Sequence, residues 1–274
     1  MPELSELLPM VALILAIGAV AGVIAGLLGV GGGIVLVPAF YFAFEGLGYG
    51  PEGLMQICLA TSLATIVVTS VRSVHGHNKK GAVDWAILKA WGPGIVIGSA
   101  LGVVAATGLR NEALMMIFGV LGLIVGLYMA FGRAHWRLGD EMPGMIGTAI
   151  TSPVIGFLSV LMGIGGGSFG VPMMTLYNQP IHRAVATAAG FGLLIAVPSV
   201  IGFLLVGNDA ENLPPFTVGQ VNLVAFALVV AMTLITTPLG VKLAHAMDPK
   251  PLKRVFAFFI MIMALNMLRK AFGY

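Results

Sequence analysis

Long apolar runs separated by short polar connections dominate the chain. A transmembrane helix needs roughly 20 apolar residues, and the runs that approach or exceed this length are 7–28, 53–72, 85–107, 112–131, 143–163, 181–206, 217–246 and 249–271. Two shorter apolar pieces, 33–44 and 168–177, follow the first and fifth runs after glycine clusters, and we interpret them as half-helices. The pattern predicts ten helical membrane segments, because membrane β-strands show alternation over roughly ten residues instead of continuous apolar runs.

The composition places the protein in a lipid bilayer. Hydrophobic residues make up 58% of its 274 residues and charged residues 9%, whereas a soluble domain carries about 25% charged residues. The single cysteine, Cys58, excludes an internal disulfide and a cysteine-based metal cluster. The net charge of +3 comes from Lys and Arg in short connections. This placement favours contact with membrane lipid head groups, and we expect no nucleic-acid binding.

One pattern occurs twice in the chain. The segment Gly29-Val-Gly-Gly-Gly33, followed by Pro38, matches Gly163-Ile-Gly-Gly-Gly167, followed by Pro172, at an offset of 134 residues. Further along, Ala60-Thr61 recurs as Ala186-Thr187. Several matches in the same order indicate a duplication.

The positive charges change sides between the two copies. Connection 72–80 carries three Lys or Arg residues, whereas its counterpart 207–217 carries none. Under the positive-inside rule the copies are inserted in opposite orientations, although Arg269 and Lys270 oppose the orientation that the other charges give. We predict a first transmembrane repeat at 1–132, a cytoplasmic connection at 133–142 and a second transmembrane repeat at 143–274.

Inverted repeats interrupted by glycines at matching points are typical of secondary transporters. The fold expected is an all-α integral membrane protein whose glycine-broken or re-entrant half-helices meet near the midplane. Their positive N-terminal ends and free N–H groups favour an anion, and close helix packing is the alternative role for the glycines. The candidate substrate-binding glycines are Gly31, Gly32, Gly33, Gly165, Gly166 and Gly167.

Small polar side chains complete the candidate site. Thr61 and Ser62 in one half, and Ser168 and Thr187 in the other, lie close to the glycine clusters in sequence. Arg183 either attracts an anion at the cytoplasmic mouth or anchors a helix end. All eleven Asp and Glu lie in connections or at segment ends, which makes the core poor for divalent cations and suitable for anions. We find no nucleophile–base pair, metal-ligand cluster or phosphate loop, and therefore expect neither an enzyme nor a cofactor or metal.

The segment Gly26-Leu-Leu-Gly-Val-Gly-Gly-Gly-Ile-Val-Leu-Val-Pro38 resembles the opening of the TauE/SafE family, also called the sulfite exporter or TSUP family. The segment Gly163-Ile-Gly-Gly-Gly-Ser-Phe-Gly-Val-Pro172, followed by His182-Arg-Ala-Val-Ala-Thr187, is similar to its second signature. The resemblance covers essentially the whole chain. It implies a multi-pass carrier of the bacterial cell inner membrane for sulfur-containing anions: sulfite, sulfoacetate, other organosulfonates or thiosulfate. The family tends to have Thr-Ser where this chain has Thr187-Ala188.

The expected function is therefore secondary transport of a small sulfur-containing anion by alternating access. An anion channel could use the same glycine-lined centre, and a membrane subunit could instead pass a sulfur compound to a soluble partner enzyme. A cation carrier is disfavoured by the absence of core carboxylates. Export or import, coupling to a proton or sodium, and assembly into a homo-oligomer stay open.

Overall fold

The computed structural model describes residues 4–28, 32–50, 52–132, 136–207, 212–246 and 249–273. This part of the chain is built almost entirely from ten helices. In chain order they are α1 (Leu4–Leu28), α2 (Gly33–Gly46), α3 (Leu54–Lys79), α4 (Trp85–Gly108), α5 (Asn111–Phe131), α6 (Met145–Leu161), α7 (Gly167–Leu176), α8 (Ile181–Leu205), α9 (Leu223–Ala246) and α10 (Pro249–Ala271).

Each predicted membrane segment overlaps one of these helices. The ends differ most at α3, which continues to Lys79 and not to 72, and at α9, which begins at Leu223 and not at 217. The preceding residues form a two-stranded antiparallel hairpin, β1 (Thr217–Val218) and β2 (Val221–Asn222). Gly219 has a φ of 56° in the turn, a left-handed conformation that favours glycine. The predicted start of this helix was wrong because an apolar run does not distinguish a short hairpin from a helix.

The surface of the helices confirms an all-α integral membrane protein. Helices α3, α4, α5 and α8 are long and apolar enough to cross a bilayer, judged over the described residues. Large apolar side chains are exposed on the outward faces of the helices; Val104 of α4, for example, is 71% exposed and Ile150 of α6 is 64% exposed. Apolar exposure on this scale suits contact with lipid, where helices satisfy their own backbone hydrogen bonds.

Two helix pairs pack through glycines in the same way. Helix α1 packs along α9, and α6 packs along α4. The facing residues are Gly18–Met232 and Gly22–Thr236 in the first pair, and Gly98–Pro153 and Gly102–Val160 in the second. Residue numbers increase together within each pair, so the paired helices run in the same direction. Small residues at these positions let the backbones approach closely.

Both short helices return towards the end of the bundle from which the chain came. Leu138, before α6, donates its N–H to the carbonyl oxygen of Leu176 at the end of α7, at 2.8 Å. Likewise Asn212, before α9, donates to the carbonyl oxygen of Gly48 just after α2, at 3.0 Å. The first contact places the end of α7 beside the chain that enters α6, so α6 and α7 form a helical hairpin. The second places the end of α2 near the chain that enters α9. Because α1 runs parallel to α9, α1 and α2 form a helical hairpin as well, and the glycine clusters lie at the tips of both.

Candidate functional site

The two glycine clusters adjoin at the tips of the hairpins. A Cβ atom placed on Gly33 would lie 2.7 Å from the carbonyl oxygen of Gly163 and 3.0 Å from the Cα of Ile164. Gly32, before α2, has a φ of 71°, and Gly163 has a φ of 61°, so both adopt the left-handed conformation that glycine tolerates. Of the predicted glycines, Gly31 lies outside the described residues. The contact between the clusters forms a junction, which we call the glycine junction (residues 32–33 and 163–167).

Helices α3 and α8 close over the glycine junction. A Cβ on Gly166 would clash with the Cβ of Phe191 and lie 2.7 Å from the carbonyl oxygen of Ala188. A Cβ on Gly165 would have more room, with Ile66 Cγ2 at 3.3 Å as its nearest neighbour. Close packing is therefore one role of Gly33 and Gly166, as the alternative interpretation of the glycines expected.

The N-terminus of α7 presents free donors at the glycine junction. Gly166 precedes the helix without a side-chain cap, and Gly167 begins it. The first N–H groups of a helix have no partner within the helix, and together with the helix dipole they favour an anion. Ser168 lies in this first turn and is 5% exposed, and its Oγ has no hydrogen-bond partner in the described part of the chain.

The predicted hydroxyls of α3 and α8 connect elements that are distant in sequence. Ser62 donates its hydroxyl hydrogen to the carbonyl oxygen of Gly163 at 2.7 Å, which fixes α3 against the glycine junction. Thr61 accepts a hydrogen bond from the backbone N–H of Asn222 at 3.0 Å. Thr187 accepts one from the backbone N–H of Asp84 at 2.9 Å. The oxygens of both threonines thus act as acceptors in contacts between helices.

The two threonine contacts are equivalent in detail. The Oδ1 atom of Asp84 accepts from the N–H groups at the start of α4, and the Oδ1 atom of Asn222 accepts from the N–H of Ala225 at the start of α9. Both residues are therefore N-caps. Each threonine receives its hydrogen bond from the residue that caps the helix, so Thr61 and Thr187 hold corresponding helix ends in place.

Arg183 lies beside one of these caps. Its Nε is 3.7 Å from the Oδ2 of Asp84, and its side chain is 53% exposed. Of the two interpretations of Arg183, this contact corresponds to an anchor between the starts of α8 and α4. A role in attracting the substrate stays a prediction.

Ser159 is a further candidate that the sequence did not suggest. It lies in the last turns of α6, it is fully buried, and its Oγ has no hydrogen-bond partner among the described residues. Its carbonyl oxygen accepts from the N–H of Ile164 inside the glycine junction, at 2.9 Å. The sequence could have suggested Ser159 through a comparison of the two repeats. Ser159 lies one helical turn before the second glycine cluster, and Ala25 occupies the equivalent position before the first.

The described residues hold no group of three or more His, Cys, Asp or Glu side chains arranged as metal ligands. The buried polar residues that the structure describes also include no Asp, Glu, Lys or Arg. The interior polar chemistry found in this part of the chain thus consists of hydroxyls, amides and backbone groups.

Comparison with known proteins agrees with the glycine motifs. The family model described as sulfite exporter TauE/SafE matches residues 14–267. A "Probable membrane transporter protein" of Haemophilus influenzae is 30% identical and covers 94% of this chain and 98% of its own length. A protein of Methanocaldococcus jannaschii with the same description is 26% identical, over 96% and 97%.

No solved structure matches the chain. The relatives and the apolar helices confirm the predicted location, a multi-pass protein of the bacterial cell inner membrane. The match of the family model covers most of the chain, and it includes both glycine motifs. The chain belongs to the sulfite exporter TauE/SafE family of membrane proteins.

Proposed function

We propose that this membrane transporter is a secondary transporter that moves small sulfur-containing anions by alternating access. Its substrates are sulfite, sulfoacetate, other organosulfonates or thiosulfate. The observation that carries the proposal is the glycine junction, where Gly33 of one hairpin contacts Gly163 of the other. Broken helices that meet from two halves of a chain form the substrate sites of many secondary transporters. The sulfite in the family's description supports the class of anion.

The electrostatics of the glycine junction favour an anion. Helices α2 and α7 both begin there, at Gly33 and Gly167, and each helix directs its positive end towards its own N-terminus. The buried residues described include no carboxylate that would repel a negative charge. The backbone N–H groups of Gly32, Gly33 and 165–167 are the donors that we assign to the substrate oxygens.

Two matched sets of contacts support the inverted repeats on which alternating access depends. The pairing of α1 with α9 corresponds to that of α6 with α4. The contact of Thr61 with the cap Asn222 corresponds to that of Thr187 with the cap Asp84. We therefore assign 1–132 and 143–274 to two repeats related by a two-fold axis in the membrane plane.

The glycine junction is buried, so the substrate reaches it only when the surrounding helices move. Phe191 of α8 and Ile66 of α3 pack directly over the glycines and are both fully buried. A movement of the first hairpin together with α3, relative to the second hairpin together with α8, would uncover the junction from one end of the bundle at a time. Such a movement between two packed arrangements is the usual form of alternating access.

The test is uptake of sulfur-35 sulfite into proteoliposomes, competed with unlabelled sulfoacetate, thiosulfate, sulfate and acetate, with protein-free liposomes as the control. We expect saturable uptake that sulfoacetate or thiosulfate blocks and acetate does not. Protein-dependent current without saturation would instead identify an anion channel. Absence of flux and current with folded protein, together with copurification of a soluble enzyme, would identify a membrane subunit that passes on a sulfur compound.

A further inference from the structure

We infer that the anion site is asymmetric and that its two hydroxyl donors, Ser159 and Ser168, both come from the second hairpin. This inference rests on the proposed function, because it assigns side chains to the substrate of the same site. Ser159 precedes the second glycine cluster and Ser168 follows it, so the two hydroxyls lie on either side of the tip of α6–α7.

Ser159 differs from three other buried serines in the interiors of helices. Ser152, two turns earlier on α6, donates its hydroxyl to the carbonyl oxygen of Thr148 at 2.7 Å. Ser99 of α4 and Ser199 of α8 donate in the same way to the carbonyl four residues earlier, each at 2.7 Å. This bond to the preceding turn satisfies a serine hydroxyl inside a helix. Ser159 is equally buried and makes no such bond to a described residue, so its hydroxyl is available to a ligand.

Ser168 occupies a position where no bond of this kind is available within its helix. It is the second residue of α7, and the carbonyl four residues earlier belongs to Ile164, outside the helix. Its hydroxyl lies at the end of α7 where the first N–H groups are free. A buried hydroxyl without a partner is unfavourable. Two such groups beside one break, next to free N–H groups, indicate that a ligand supplies the acceptors.

The first hairpin has no equivalent donors. The offset of 134 residues that aligns the glycine clusters places Ala25 at the position of Ser159 and Ile34 at the position of Ser168. Ile34 is buried. Alanine and isoleucine have no polar side-chain atom, so the first hairpin contributes only its backbone. The two hairpins therefore have the same backbone arrangement, but only the second has hydroxyl side chains beside its glycine cluster at these two positions.

This set of donors suits an anion with three oxygens on one centre. The hydroxyls of Ser159 and Ser168 add to the backbone N–H groups assigned above, and a sulfite or sulfonate group offers three oxygens on one centre to accept from them. A carboxylate has two oxygens in one plane with its carbon, so it offers one acceptor atom fewer and in a different arrangement. A site built to donate hydrogen bonds discriminates strongly against a ligand that lacks the acceptor. We therefore expect sulfoacetate to compete through its sulfonate group.

The experiment compares wild-type protein with Ser159→Ala, Ser168→Ala and the control Ser152→Ala. Sulfite uptake into proteoliposomes gives KM, and competition by sulfoacetate gives the inhibition constant. Thermal unfolding of each purified variant in detergent gives its stability without sulfite. We expect both constants to rise about tenfold or more in Ser159→Ala and in Ser168→Ala, since a hydrogen bond to a charged group contributes about 1.5–3 kcal/mol. Ser152→Ala should keep the wild-type constants.

Stability separates a ligand donor from a structural hydroxyl. Removing a hydroxyl that has no protein partner should leave the melting temperature unchanged or raise it, whereas a structural hydroxyl would lower it. If wild-type protein transports sulfite and both variants keep its KM, the inference is wrong and the proposed function stands. It is also wrong if the variants melt earlier at an unchanged KM. If wild-type protein transports none of the sulfur anions, the proposed function and this inference both fail.

Discussion

The contact between Thr61 and Asn222 offers a direct test of how the helices are held together. The substitution Thr61→Val keeps the shape and β-branching of the side chain and removes its hydroxyl. The N–H of Asn222 then loses its acceptor, and both residues are fully buried, so water cannot replace it. The same substitution would also remove a substrate ligand if Thr61 contacted the anion, as its sequence position predicted.

The expected loss of stability lies between two limits. Hydrogen bonds between helices in membrane proteins contribute about 0.6 kcal/mol on average and at most about 1.7 kcal/mol. A buried donor left without a partner costs about 1–3 kcal/mol. The donor here is a backbone N–H beside the start of α9, which cannot turn towards another acceptor as a side chain can. We therefore expect Thr61→Val to lower the free energy of unfolding by about 1–2 kcal/mol.

The assay is reversible unfolding in detergent, with two control variants on the same helix. Thr61→Ser keeps the acceptor and should recover most of the loss. Among the described residues Thr69 bonds only to carbonyls of its own helix, the nearer being that of Thr65 at 3.1 Å. Thr69→Val should therefore stay within about 0.5 kcal/mol of wild type. Equal stability of Thr61→Val and Thr69→Val would refute the assignment of Thr61 as an anchor. Normal stability with a raised KM for sulfite would assign Thr61 to the substrate instead.

Two further predictions concern neighbouring parts of the site. Gly166→Ala should lower the free energy of unfolding by about 1–3 kcal/mol, because the new Cβ would meet Phe191. Gly165→Ala should lower it less, because the nearest atom to its Cβ is 3.3 Å away. An equal loss of stability in the two variants, measured by unfolding in detergent, would contradict this packing. Asp84→Asn keeps a cap and gives up a partly exposed ion pair with Arg183, so it should change stability by less than about 1 kcal/mol. Asp84→Ala also loses the cap and should cost about 1 kcal/mol more, and equal melting of these two variants would argue against the capping role.

Most of the helical architecture follows from the sequence because lipid imposes a simple rule. A segment in the bilayer must bury its backbone hydrogen bonds and expose apolar side chains, so apolar length locates a helix such as α5 within a residue or two. The region 217–222 fails this rule for a physical reason. Its short strands place Asn222 where it can cap α9 and donate to Thr61, and neither contact is visible in an apolar run.

The structure also shows contacts of Lys270, a residue that enters the prediction of membrane orientation. Lys270 opposes the predicted orientation when charges are counted along the chain. In the folded protein Lys270 forms an ion pair with Glu45 and lies over the rings of Tyr41 and Phe42, 5.4 and 5.1 Å from their centroids. Counting charges along the chain does not reveal these contacts, which hold Lys270 in place at the end of α10 in the folded protein.

For the candidate site, the sequence predicts which residue types are present, whereas the structure shows which hydrogen bonds they make. The paired glycines were visible in the sequence because they repeat, and Ser168 because it follows them. Whether a hydroxyl is free depends on its rotamer and its neighbours. Thr61 and Thr187 turned out to accept hydrogen bonds from helix caps. Ser159 is one of several hydroxyl residues of α6 and has no counterpart in the first repeat. Only its missing hydrogen-bond partner among the described residues distinguishes it from Ser152.

The anchors also constrain how the transporter would move. Thr61 of the first repeat holds the start of α9 from the second, and Thr187 of the second repeat holds the start of α4 from the first. Helix α9 packs along α1, and α4 packs along α6. A movement that keeps these contacts must therefore carry α1, α3 and α9 as one group and α4, α6 and α8 as another. The two groups meet where α3 packs against α8 and over the glycine junction, so alternating access would take place between groups that each combine helices from both repeats.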